Sequence, residues 1–197
     1  MNKERLVSFT DAVLAIIMTI LVLQLPKPVD SSFRALWDLQ ESFFAYALSF
    51  FWLGALWFGM HGIWDVAKKI SNKVIGLNIL LLFFASLIPY TTSLVSEYFD
   101  SSLMQGLYGI VVVLVTMTNI FLHKAIDEPN SENEELLKLS EQFRMSLIVD
   151  VIIKLIGLIL ALTIYPRAMM ISVLTAGTYT TFVRIASGIK RKNKKKK

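Results

Sequence analysis

Six long apolar runs constrain this chain more than any other feature of its sequence. A helix that crosses a bilayer needs roughly 20 mostly apolar residues. The runs that qualify lie at about 6–25, 43–66, 73–95, 104–124, 145–165 and 168–188. Because 55% of the 197 residues are hydrophobic and only 18% are charged, a soluble core could not bury this apolar surface. The sequence therefore predicts an all-α membrane protein with six transmembrane helices.

Two connections between the runs are long enough to carry structure of their own. Residues 26–42 contain two prolines followed by Asp-Ser-Ser, which favours a short amphipathic helix on the membrane surface. Residues 125–143 are acidic and predict a short polar helix between the fourth and fifth runs. No Gly/Ser-rich linker divides the chain, so we predict one six-helix domain over residues 1–189 and a basic tail over residues 190–197.

The distribution of Lys and Arg over the short loops predicts the orientation. If the N-terminus is cytoplasmic, the opposite side carries only Lys27, Arg34 and Arg167, and an even number of spans returns the basic tail to the cytoplasm. A cleaved signal peptide is the alternative for the first run, but Asp11 interrupts its start and no small-residue cleavage site follows. We therefore predict that both termini are cytoplasmic, and that the tail contacts anionic lipid headgroups and not nucleic acid.

The first run begins with a polar cluster and continues as a regular apolar stripe. Successive helical residues turn by about 100°, so Ile16, Thr19, Ile20 and Leu23 share one face. Asp11 lies about 140° away from Ile16 on the same helix. The helix is therefore expected to present Asp11 and the stripe to different surroundings.

An unpaired carboxylate in hydrocarbon costs several kcal/mol, so Asp11 requires hydrogen-bond donors. Trp57 and His61 on the second run are four residues apart and share a face, and Asn78 is the one amide of the third run. We predict a polar cluster that joins the first three spans at their cytoplasmic ends.

Residues 5–25, RLVSFTDAVLAIIMTILVLQL, resemble the first helix of the transmembrane protein 175 family, whose signature is Arg-x-x-x-Phe-Ser-Asp before an apolar helix. Arg5, Phe9 and Asp11 match this signature, and Thr10 replaces its Ser while keeping the hydroxyl. The resemblance implies that these four residues belong to one structural network with Trp57, His61 and Asn78. The further positions that fit the family are Ser49, Phe50, Trp57, His61, Asn78 and Pro89.

The resemblance implies a potassium-preferring cation channel in the cell membrane of a prokaryote, assembled as a homotetramer with the first helix of each copy lining a central pore. By position, Ile16 is the implied constriction, Thr19 a pore-facing hydroxyl, and Ile20 and Leu23 deeper apolar rings. Potassium ions would pass near Ile16 and Thr19, and no bound metal or cofactor is implied. Since no TVGYG-like run is present, we expect hydrophobic rings and not a carbonyl filter to control permeation.

Another class of protein remains open beside the channel. Asp150 and Lys154 lie four residues apart in the fifth run, where they form either a structural ion pair or the relay of a secondary or proton-coupled transporter. An enzyme is not predicted, because the chain has two His, no Cys and no metal-binding motif.

Overall fold

A computed structural model describes residues 2–194 of the chain, with side chains described over residues 2–186. Within this part the secondary structure is helical and no strand occurs, which confirms the predicted all-α class. The α-helices are α1 (Lys3–Leu23), α2 (Phe33–Trp37), α3 (Gln40–Trp64), α4 (Asn72–Ser86), α5 (Ile88–Glu97), α6 (Ser102–Asp127), α7 (Glu134–Thr163) and α8 (Ala168–Lys194).

Six membrane-capable spans are present in the described residues, as predicted: α1, α3, α4 with α5, α6, α7 and α8. The third span is divided at Leu87, whose N–H bonds the Phe84 carbonyl at 3.2 Å instead of continuing the α-helical ladder. Pro89, at the start of α5, has no N–H to donate to the preceding turn, so a bend at this point is expected.

Polar side chains fix where several helices begin. Asn2, Ser32, Ser71, Ser101 and Asn133 each accept a hydrogen bond from a backbone N–H of the first turn of the helix that follows. The short α2 begins after the Asp-Ser-Ser sequence in this way, which confirms a helix in residues 26–42.

The separate polar helix predicted within residues 125–143 is wrong. The fourth span continues to Asp127, a 3-10 turn covers Glu128–Asn130, and α7 begins at Glu134. Because Asn133 caps this helix and no Gly or Pro interrupts residues 134–156, the polar segment and the fifth span form one helix of 30 residues. The basic tail, residues 190–197, lies outside the residues whose side chains are described.

The bundle buries its spans unequally. The central span is α6, with 67% of its apolar window buried, and it packs against α4, α5 and α7. The first span buries 28%, less than the other five, and contacts α3, α4 and α5. The first span, α1, is therefore packed against the rest of the bundle on one side only.

The two ends of the bundle have different connections. We call the end of the bundle at which α1 begins the terminal end. There, Lys3 Nζ donates to the carbonyls of Trp64 and Ala67, at 3.1 and 2.9 Å. At the far end, Arg167 in the α7–α8 loop contacts Asp100 and Glu41. Both sets of contacts join segments that are far apart in the sequence.

Candidate functional site

Opposite faces of α1 have opposite surroundings. Leu6, Thr10, Leu14, Ile17 and Leu21 are buried against the rest of the subunit. These positions recur at intervals of three and four residues, so they form one stripe along the helix. The face predicted to line a pore lies across the helix axis from this stripe.

The four residues of the predicted pore face are exposed on the subunit surface. Ile16 is 59% exposed, Ile20 37% and Leu23 78%, and Thr19 is also exposed. The Thr19 hydroxyl donates to the Ile16 carbonyl at 2.8 Å, which leaves its oxygen able to accept or coordinate. We call Ile16, Thr19, Ile20 and Leu23 the exposed α1 face.

A groove of about 400 Å³ lies beside this face. Ile16, Ile20 and Gln24 form its α1 wall, and Pro89 and Tyr90 from the start of α5 form part of the other. The division of the third span at Leu87 therefore shapes the surface next to the exposed α1 face.

Asp11 pairs with the second span. Trp57 Nε1 donates to Asp11 Oδ1 at 2.9 Å, and the His61 ring stacks on Trp57 with centroids 5.6 Å apart. His61 Nε2 lies 3.7 Å from Asp65 Oδ2 on the same span, so the carboxylate beside His61 is Asp65, whereas Trp57 donates to Asp11. The predicted cluster is thus built around one charge-assisted hydrogen bond.

Asn78 on the third span binds Thr10 and not Asp11. Its Nδ2 donates to Thr10 Oγ1 at 2.8 Å, and that hydroxyl in turn donates to the Leu6 carbonyl at 2.8 Å. Both side chains are buried. The signature residues Thr10 and Asp11 therefore fasten α1 to two different spans, α4 and α3.

The other two signature residues, Arg5 and Phe9, stay outside this cluster. Phe9 is 50% exposed, and Arg5 is exposed and pairs with no carboxylate in the described part of the chain. Their side chains are available to a neighbouring molecule or to solvent and headgroups.

A second polar group lies inside the other half of the bundle. Lys154 Nζ donates to Asp150 Oδ2 and to Thr116 Oγ1, the latter at 2.9 Å, and lies 4.8 Å from the centre of the Trp52 ring. Lys154 is fully buried and Asp150 is 2% exposed. Their pairing was predicted from the spacing.

Sequence reasoning missed Arg184, the third charge of this group. Its side chain is 6% exposed, and its Nη1 donates to the Ala55 carbonyl of α3. An arginine inside the sixth apolar run was the available signal, because charged residues in spans are rare and need partners. Among the described residues, no cluster of three or more His, Asp or Glu is arranged to hold a metal ion.

These features define a class: a multi-pass membrane protein of six spans whose first helix is fixed to the bundle on one side and exposed on the other. A family model described as endosomal/lysosomal potassium channel TMEM175 matches residues 5–89. A protein of Chryseobacterium sp., named a potassium channel, is 34% identical over 136 residues, which are 69% of this chain and 71% of that protein. This chain belongs to the TMEM175 family, which confirms the resemblance of its first helix.

Two further comparisons define the extent of the similarity. The chicken endosomal/lysosomal proton channel TMEM175 is 32% identical over 114 residues, which are 52% of this chain but 23% of that protein. The crystal structure of a lysosomal potassium-selective channel TMEM175 homologue from Chamaesiphon minutus matches with a TM-score of 0.70 and 20% identity, over 92% of this chain and 97% of that one. The six-span fold is therefore shared over nearly the whole chain.

Proposed function

We propose that this protein is a potassium-preferring cation channel in which four copies surround a central pore lined by the exposed α1 face. Relatives named as potassium channels support this proposal. No cofactor is required, because the permeating cation is the only ligand of the mechanism.

The observation that carries the proposal is the asymmetry of α1. Its buried stripe is packed in the subunit, whereas Ile16, Thr19, Ile20 and Leu23 are exposed on the subunit surface, with Ile20 the least exposed of the aliphatic three. Lipid would cover such a face, but a hydroxyl at Thr19 between aliphatic residues also suits a narrow aqueous path. Four copies of the face around an axis would form stacked apolar rings with one ring of hydroxyl oxygens.

Permeation through such rings is controlled by wetting. A ring of four Ile16 side chains conducts when it is wide enough to hold water and closes when it dewets. Thr19 oxygens next to this ring would replace part of the hydration shell of the cation. Since potassium is dehydrated at lower cost than sodium, we expect a modest preference for potassium without a carbonyl filter.

The family signature then has a mechanical role. The Trp57–Asp11 and Asn78–Thr10 hydrogen bonds hold α1 from the side that does not face the pore. We place the terminal end of the bundle in the cytoplasm, in agreement with the Lys and Arg distribution. Lipids cover the remaining apolar surface in this arrangement.

Cysteine accessibility tests the pore assignment directly, because the chain contains no Cys. Ile16→Cys and Leu23→Cys channels in planar bilayers should be blocked by a charged thiol reagent. Ile17→Cys and Ile159→Cys are the matched controls, since Ile17 is buried in the bundle and Ile159 is exposed on α7. Equal modification of all four positions, or none at Ile16 and Leu23, would exclude the exposed α1 face as the pore lining.

The alternative transporter has one supporting observation, the buried charged group on α7 and α8. A carrier that used it would saturate at low turnover and depend on a proton gradient, whereas the channel should give unitary potassium currents in symmetric solutions. Asp150→Asn is expected to leave the unitary conductance unchanged, because Asp150 lies on α7 and away from the exposed α1 face.

A further inference from the structure

A small cavity of about 20 Å³ lies beside the buried charged group. Its walls include side chains from four spans, among them Trp52, Asn119, Asp150, Lys154 and Arg184. A cavity needs about 10–15 Å³ to hold one water molecule, so this one accommodates a single small ligand.

Two of the polar atoms in this group have no hydrogen-bond partner among the described residues. These atoms are Asn119 Oδ1 and Arg184 Nε, and both are buried. Asn119 is 1% exposed and Arg184 is 6% exposed, so bulk solvent does not satisfy them. A buried polar atom without a partner costs about 1–3 kcal/mol, and more when the group is charged.

The chemistry of the two atoms selects the ligand. Arg184 Nε is a donor and requires an acceptor, whereas Asn119 Oδ1 is an acceptor and requires a donor. A halide ion accepts but cannot donate, and a potassium ion does neither. Water does both, and its size fits the cavity.

We propose that this cavity is a binding site for one internal water molecule, which accepts from Arg184 Nε and donates to Asn119 Oδ1. With this water, the hydrogen bonds of Arg184 run to the Ala55 carbonyl on α3 and through the water to Asn119 on α6. Lys154 already joins α7 to α6 through Thr116. The site therefore completes a polar network that connects α3, α6, α7 and α8 inside the membrane.

A density map of the unaltered channel at about 2 Å or better tests the site. A single peak within hydrogen-bond distance of both Arg184 Nε and Asn119 Oδ1 is expected. Crystals grown in bromide should show no anomalous peak at this position. An absent peak, a direct Asn119–Arg184 hydrogen bond, or a bromide ion in the cavity would overturn the proposal.

Substitutions test whether the water is held by Asn119. Asn119→Leu removes the acceptor at similar size and should lower the melting temperature by about 3–6 °C, because one buried hydrogen-bond partner is lost. Asn119→Asp keeps an acceptor oxygen and should retain both the stability and the density peak.

Thr118→Val is the matched control on the same helix, since the Thr118 hydroxyl bonds only the Leu114 carbonyl of its own helix. If Asn119→Leu is no less stable than Thr118→Val, the proposal is wrong. The density map of the unaltered protein decides the matter even if Asn119→Leu does not fold.

Discussion

Asp11 is the charged residue within the first span, and its carboxylate needs hydrogen-bond donors at that depth. The sequence predicts that this carboxylate faces away from the apolar stripe of the first helix and binds donors on the second and third spans. In the structure it accepts a 2.9 Å hydrogen bond from Trp57, one of the predicted donors on the second span. A carboxylate held in this way positions the helix, and in the proposed mechanism the permeating ion contacts the aliphatic and hydroxyl groups of the exposed α1 face instead of Asp11.

A double-mutant cycle should measure this hydrogen bond. We expect Asp11→Ala and Trp57→Phe each to destabilise the subunit and to show a coupling of about 1–2 kcal/mol, since hydrogen bonds to charged groups are stronger than neutral ones. Thermal unfolding of the four variants in detergent measures the coupling.

The control cycle pairs Asp11→Ala with Trp64→Phe. Trp64 lies on the same span as Trp57, but its indole N–H makes no hydrogen bond in the described part of the chain. This cycle should give a coupling near zero. Equal coupling in the two cycles would contradict the role assigned to the Trp57–Asp11 bond.

At the scale of elements, α7 and α8 pack so closely that one position requires glycine. A Cβ built on Gly157 would lie 2.1 Å from Ser172 Oγ and 3.2 Å from the Ala168 carbonyl oxygen. Ser172 Cβ would also lie 2.3 Å away, and because rotation of the Ser172 side chain does not move that atom, the clash cannot be removed by a side-chain rotation alone. The glycine therefore sets the distance between the fifth and sixth spans.

Gly157→Ala should destabilise the protein by about 1–3 kcal/mol, the usual cost of overpacking. Gly76→Ala is the matched control in α4, where an added Cβ meets nothing within 4 Å. That substitution should stabilise the protein by about 0.5–1 kcal/mol, because alanine is the better helix former. Thermal unfolding measures the stability of both variants. A similar loss of stability in both would show that close packing at Gly157 is not the cause of the destabilisation.

The far end of the bundle is joined by an ionic contact between loops. Arg167 donates to the two carboxylate oxygens of Asp100, at 2.6 and 2.9 Å, and lies 2.7 Å from Glu41. The hydrogen bonds from Arg167 lower the pKa of Asp100 from its ordinary value of 3.8. Three segments distant in sequence thus meet at one guanidinium.

This contact predicts a pH dependence with a definite sign. An acid whose pKa is lower in the folded state stabilises the fold at pH values above its unfolded pKa, and this contribution is lost as the pH falls through the folded pKa. The melting temperature of the unaltered protein should exceed that of Asp100→Asn at about pH 7, and the two should converge as the pH falls through the lowered pKa of Asp100 in the folded state. Because the pair is exposed, the difference should be small and should decrease in salt. A difference that grows on acidification would refute this assignment.

At the scale of the whole molecule, the proposed pore exists only in the assembly. In the proposed tetramer, Ile16→Asn would replace the ring assigned as the constriction by polar side chains, so its channels should have a larger conductance and a weaker preference for potassium over sodium. Single-channel currents and reversal potentials measure both quantities.

Mixed assemblies then count the copies around the pore. Co-expression of the unaltered chain with Ile16→Asn should give five conductance levels, from zero to four substituted copies. Two levels would indicate a pore within one subunit, and three levels would indicate a dimer. Unchanged currents in Ile16→Asn itself would place the constriction elsewhere.

The sequence by itself determined the spans, the family and the two faces of α1, because these depend on local hydrophobicity, on helical periodicity and on a contiguous motif. Apolar runs of about 20 residues need a membrane to keep so many side chains out of water. The spacing of Ile16, Thr19, Ile20 and Leu23 places them on one face of any straight helix. The pairing of Asp150 with Lys154 was also within reach, since both lie on one helix.

Only the tertiary structure decided which side chains meet across spans. The choice of Trp57 for Asp11 and of Asn78 for Thr10 depends on how α3 and α4 rotate against α1, and no local pattern encodes that rotation. The place of Arg184 in the buried charged group also depends on packing. Its position on α8 brings it to Asp150 and Lys154 only because α3, α6 and α7 surround it. Local sequence patterns determine where each spanning helix lies and which of its faces is apolar. The packing of the six spans determines which partner each polar side chain binds.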